Sequence, residues 1–116
     1  MACKTTVKNS LKKGLEAEGV ACEYLQNLRY EIVARNVRKK FSEIDIVAKK
    51  DGAYRFVEVK SGDSFDPVYN LTPSKLRKII KGVGAYISEH KINTPYCIDL
   101  VVIRNGDCEL YENITF

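Results

Sequence analysis

No stretch of this sequence approaches the roughly 20 apolar residues needed to span a bilayer, which argues against a helical membrane protein. The opening MACKTTVKNSLKK is basic but has no apolar segment behind it, so no secretory leader is expected and a cytoplasmic location is. Histidine is almost absent, with His90 standing alone. The cysteines, Cys3, Cys22, Cys97 and Cys108, lie too far apart for a C-x-x-C pair. A compact zinc site of imidazole and thiolate ligands therefore has no support. In a cytoplasmic chain such isolated thiols read as reduced, partly buried small hydrophobes. Repeats, low-complexity segments and internal domain boundaries are also missing.

What is present fits one globular domain over residues 1–116: 45% of residues are hydrophobic and 29% charged, a balance unlike that of disordered chains. The net charge of +4 is modest, yet its distribution is uneven. Lys4, Lys8, Lys12 and Lys13 crowd the amino end, Arg35, Arg38, Lys39 and Lys40 form a second group, and Lys75, Arg77, Lys78 and Lys81 a third. Such clusters suit a polyanionic partner, although a merely solvated surface would also account for them.

Hydrophobic spacing and turn residues give the order of elements. Asn9 or Ser10 can cap a helix running to about Leu28, with a seam of Leu11, Leu15, position 18, Cys22 and Leu25. Strands follow at Tyr30 to Arg38, Glu43 to Lys49 and Tyr54 to Lys60, the last two joined by an Asp51-Gly52 turn, and together they form a meander. A loop from Ser61 to Leu71 precedes a second helix, capped by Thr72 with Pro73 at its first position. Leu76, Ile80, Val83 and Ile87 make its expected buried stripe, and close packing is expected at Gly82 and Gly84. A strand from Tyr96 to Arg104, an Asn105-Gly106 turn and a strand from Cys108 to Ile114 complete the chain. The order α-β-β-β-α-β-β predicts an α/β domain with a mixed sheet.

Three acids and a lysine stand where packing alone would favour apolar side chains. Glu18 falls on the first helical seam, Asp45 lies within Ile44-Asp45-Ile46-Val47, and Glu58 and Lys60 alternate with valines in Phe56-Val57-Glu58-Val59-Lys60. Strand side chains repeat every two residues, so Glu58 and Lys60 share a face. Pairing through the Asp51-Gly52 turn would set Asp45 beside Glu58. Each residue alone has a duller explanation: an exposed ion pair for Glu-x-Lys, an edge position for Asp45, a shortened seam for Glu18. Glu43 shares the face of Asp45 and is a candidate further ligand, although near a strand start a surface position is the expected one. One shared site accounts for all four at once.

Clustered buried carboxylates need a compensating cation, and oxygen ligands alone point to a hard ion such as magnesium or manganese. Such an ion can polarise a phosphodiester and acidify an attacking water, while Lys60 neutralises charge developing on the phosphate. Metal-assisted phosphodiester hydrolysis is the chemistry these residues suit.

The pattern of helical Glu, Asp, then Glu-x-Lys resembles the PD-(D/E)xK nuclease superfamily, which includes restriction endonucleases and archaeal Holliday-junction resolvases. More closely, the chain resembles the small bacterial YraN-like endonuclease family. The matching stretches are Gly14-Leu15-Glu16-Ala17-Glu18, Ala21, Tyr24-Leu25, Asn36-Val37-Arg38, Glu43-Ile44-Asp45, Phe56-Val57-Glu58-Val59-Lys60, Ser74-Lys75 and Asp99-Leu100-Val101. The resemblance implies a restriction-endonuclease-like three-layer fold, with a central mixed sheet flanked by helices. It also implies metal ligation by Asp45 and Glu58, support from Glu18 and a catalytic Lys60. Two positions depart from the family pattern: Ser42 replaces a usual glycine, and Gly62 stands where an arginine is common.

The resulting expectation is a magnesium- or manganese-dependent endonuclease acting on nucleic acid, DNA before RNA, branched or single-stranded, in repair or recombination. Arg38, Lys39, Lys40, Lys75 and Lys78 would grip the backbone, and a homodimer is compatible with this reading. A non-catalytic nucleic-acid-binding module of the same fold and a protein-binding accessory subunit are the rivals. Among other residues, His90 is expected to complement the dipole at the end of the second helix, Tyr69 either to stack on a base or to pack under its loop, and Asp99 to meet a basic partner inside the fold.

Overall fold

A computed structural model describes residues 10–40, 42–62 and 71–115. Its elements are α1 (Ser10–Asn27), β1 (Glu31–Lys39), β2 (Ser42–Lys50), β3 (Ala53–Ser61), α2 (Pro73–Glu89), β4 (Tyr96–Arg104) and β5 (Asp107–Tyr111), in the predicted order. The five strands form one mixed sheet in the order β1-β2-β3-β4-β5. Only the β3–β4 pair is parallel, because α2 carries the chain back between them. The β2–β3 and β4–β5 hairpins turn through Asp51-Gly52 and Asn105-Gly106, all four residues having positive φ as the tight turn between twisted strands requires.

The two helices cover the two faces, which gives the three layers of a restriction-endonuclease-like fold. On one face Ala21, Cys22 and Leu25 of α1 pack on Ile46, Ala48, Val57, Val101 and Ile103. On the other, Ile79, Val83 and Tyr86 of α2 pack on Ile44, Val47, Phe56 and Ile98. The central strands are thus apolar on both sides, and each large side chain buried there contributes about 1.5–3 kcal/mol. No helix among the described residues is long and apolar enough to cross a membrane.

Helix α2 starts as expected: the Thr72 hydroxyl accepts from Lys75 N at 3.2 Å and Pro73 leads the first turn. Its buried stripe differs from the predicted one. Ile79, Gly82, Val83 and Tyr86 face the sheet, while Ile80 is 45% exposed. Ile79 and Ile80 are adjacent, so spacing alone leaves the helix phase open. The edge-on contact of Tyr86 with Phe56 and the close approach of Gly82 to β2 select Ile79. A Cβ at Gly82 would fall on the side chain of Ser42, whereas one at Gly84 would meet nothing, so the close packing is confined to Gly82.

The last strand stops at Tyr111, three residues short of the expected end. Asn113 takes φ +53°, and its N–H donates to the Asp99 carboxylate at 2.9 Å instead of to a strand partner. Asp99 is fully buried and also receives the Tyr30 hydroxyl, the Cys97 thiol and the Arg55 guanidinium, at 3.3, 3.3 and 3.4 Å. Arg55 is the basic partner anticipated for it. Cys22 and Cys97 are free thiols, as expected; Cys3 and Tyr69 lie outside the described residues. His90 caps α2, its Nδ1 3.1 Å from the Tyr86 carbonyl and its ring stacked on Tyr86.

Candidate metal centre

The site lies where the sheet forks. From the Asp51-Gly52 turn, β2 and β3 pair as far as Ile46↔Val57. Beyond that point β2 stays with β1 as far as Lys39↔Ser42, and β3 stays with β4 as far as Ser61↔Ile103. Asp45 sits at the fork, where its Oδ2 accepts the Val59 N–H at 2.8 Å, so a side chain occupies a place that a strand carbonyl would otherwise fill. Side-chain alternation slips here as well. Ile44 and Ile46 are two residues apart, yet they pack into the cores on opposite faces. Opposite Asp45, between the Arg35↔Ile46 and Val37↔Ile44 pairs, Asn36 adopts φ +53°, a left-handed conformation that asparagine tolerates.

This slip lets groups from both faces meet. Val57 and Val59 turn toward α1, so Glu58 and Lys60 face the α2 side, with Lys60 Nζ 3.8 Å from Glu58 Oε2. Glu18 comes from α1 on the opposite face and reaches Asp45 at the fork. One carboxylate oxygen from each of Glu18, Glu43 and Asp45 lies within 4.8 Å of the other two. An open cleft of about 240 Å³ is lined by Glu43, Asp45, Glu58, Lys60, Lys75 and Lys78, among others. Asp45 therefore joins Glu18 on one side to Glu58 and Lys60 on the other.

The electrostatics follow from crowding four acids at a partly buried place in the fold. Burial, then the charge of Asp45, pushes the Glu58 carboxyl up to about 8, and Lys60 offsets only part of this. Burial followed by Asp45 pushes Glu18 up to about 7, against the opposing field of Arg35. Asp45 is also raised by burial, with the Val59 N–H pulling the other way. The Glu18 Oε1 atom is enclosed and has no hydrogen-bond partner among the described residues. An orphaned buried oxygen amid desolvated carboxylates is what a hard cation would satisfy, so the donor set fits a divalent ion.

The predicted basic residues divide. Lys75 and Lys78 line the cleft from α2, whereas exposed Arg38 and Lys40 are not among the residues that line it. The Lys39 side chain lies outside the described residues. The sequence favoured a surface position for Glu43 over a role as a further ligand, yet it joins Glu18 and Asp45. Its spacing of two from Asp45 was the available signal. Arg35, grouped with the surface bases, acts on Glu18; nothing in its local sequence pointed there.

Over residues 17–103, a span holding all these acids and Lys60, the sequence matches the family described as Uncharacterised protein family UPF0102. It is 51% identical over 107 residues to a UPF0102 protein of Helicobacter hepaticus, covering 92% of this chain and 97% of that relative. A UPF0102 protein of Helicobacter pylori is 54% identical over 104 residues, covering 90% of this chain and 91% of its own length. One from Wolinella succinogenes is 48% identical over 106 residues, covering 91% and 98% respectively. None of these descriptions names an activity.

Proposed function

This chain belongs to the uncharacterised protein family UPF0102, and from that premise we propose that it is a metal-dependent endonuclease of the PD-(D/E)xK type, cleaving phosphodiester bonds in DNA. The observation that carries the reading is the meeting of Asp45, Glu58 and Lys60 at the fork, in a cleft that Lys75 and Lys78 also line. Asp45 and Glu58, with Glu18 behind them, would hold magnesium or manganese. When bound, the ion supplies Lewis-acid polarisation of the phosphodiester and of an attacking water.

The remaining work falls to the chain itself. Lys60, only 30% exposed, neutralises negative charge as it builds on the scissile phosphate, where a partly dry site strengthens its field. Lys75 and Lys78, one turn apart on α2, bind flanking phosphates without reading sequence. Exposed Arg38 and Lys40 extend the grip along the backbone. Because the contacts are to phosphates, cleavage depends on nucleic-acid shape more than on base identity, which suits branched or single-stranded DNA in cytoplasmic repair or recombination.

Purified protein incubated with linear, single-stranded, flapped and four-way DNA tests the reading. Cleavage with magnesium or manganese that stops in EDTA supports it. Binding without cleavage would favour the non-catalytic module.

A further inference from the structure

We propose that Glu43 is a cation ligand, completing with Glu18 and Asp45 a three-carboxylate position on the β2 side of the fork that does not require Glu58. This rests on the metal-dependent reading above and adds a ligand which that reading lacks. Oxygens sharing one divalent ion sit about 2.0–2.6 Å from it, hence no more than about 4–5 Å from each other. The carboxylates of Glu18, Glu43 and Asp45 meet that limit, each offering an oxygen within 4.8 Å of the other two.

A second, independent observation is the state of Glu18. The residue is only 9% exposed, and its enclosed Oε1 accepts no hydrogen bond among the described residues. A buried carboxylate oxygen without a donor is costly, and this carboxylate is directed at the other two acids. The backbone explains why Glu43 is held there. Although β3 has already diverged, Arg38↔Glu43 pairing with β1 keeps this end of β2 in the sheet. Glu58 lines the same cleft as Glu43 but is not one of the three acids whose oxygens come together, and it has a cation beside it in Lys60 at 3.8 Å.

The test is a titration with Mn²⁺, followed by the electron paramagnetic resonance signal of the free ion, on wild type, Glu43→Gln, Glu18→Gln and Glu58→Gln. Melting in EDTA checks each fold. Glu43→Gln and Glu18→Gln are expected to lose the same Mn²⁺ position, with affinity there falling about tenfold or more. Glu58→Gln is expected to keep that position, with a smaller loss of affinity than either of the other two variants. If Glu43→Gln binds Mn²⁺ as wild type does, or Glu58→Gln loses every ion, the proposal is overturned while the metal-dependent reading stands. A wild type that takes up no Mn²⁺ at millimolar concentration overturns both.

Discussion

Replacing Glu58 with glutamine should stabilise the protein in EDTA, and by more at pH 8 than at pH 5. Burial and the charge of Asp45 raise the Glu58 carboxyl from an ordinary 4.5 to about 8. A carboxyl raised on folding favours the native state when protonated. That contribution is therefore complete below about pH 4.5 and is lost as pH rises through 8. At pH 7 the cost of taking up the proton, or of carrying the buried charge, reaches up to roughly 3 kcal/mol. Because the neighbouring acids titrate together, about half of that is the expected gain from glutamine, which copies the shape of the protonated form. For a domain of this size it corresponds to a rise in melting temperature of about 5–8 °C near neutral pH. The gain should almost vanish at pH 5, where wild-type Glu58 already holds its proton. Thermal melts of both proteins at the two pH values decide the matter. An equal gain at both, or a loss at pH 8, would refute the claim that crowded, desolvated charge destabilises the cation-free site.

Three further outcomes are expected. Lys60→Ala should slow cleavage by about 10²–10³-fold while DNA affinity, shared among several basic residues, changes little; complete loss of binding in a filter or anisotropy assay would make Lys60 a plain phosphate anchor. Asp99→Ala should cost about 3 kcal/mol in urea unfolding, because it leaves Arg55, the Tyr30 hydroxyl and the Asn113 N–H without their shared acceptor; a cost under about 1 kcal/mol would mean that the network is incidental. Gly82→Ala should destabilise by about 1–3 kcal/mol through collision with Ser42, and Ser42→Gly in the same chain should recover much of that; additive losses in the double variant would deny the contact.

Much of this arrangement was legible before the fold. Element order follows from apolar spacing and two turn pairs, and the shared face of Glu58 and Lys60 follows from strand periodicity alone. Asp99 between Ile98 and Leu100 could be read as needing a basic partner, though not that Arg55 would supply it, since β3–β4 pairing over that separation is a tertiary fact. The phase of α2 was not legible, because two adjacent isoleucines offer equally good stripes until Tyr86 meets Phe56. Nor was the fork. The slip at Asp45 depends on the left-handed Asn36 across from it and on a side chain taking a backbone partner, and neither leaves a trace in hydropathy. Glu43 was undervalued for the same reason: a regular strand would leave it near the rim, and it is the fork that turns it toward Glu18.

Metal-dependent cleavage of DNA by the acids at the fork is tested most directly by the cleavage rate of wild type beside Asp45→Asn. Both proteins are assayed at one protein concentration on the same DNA substrates, in magnesium, in manganese and in EDTA, after circular dichroism has shown that both are folded. Cation-dependent cleavage is expected from the wild type, and none detectable from Asp45→Asn. Cleavage by the wild type in EDTA, or equal rates from the two proteins, would contradict it.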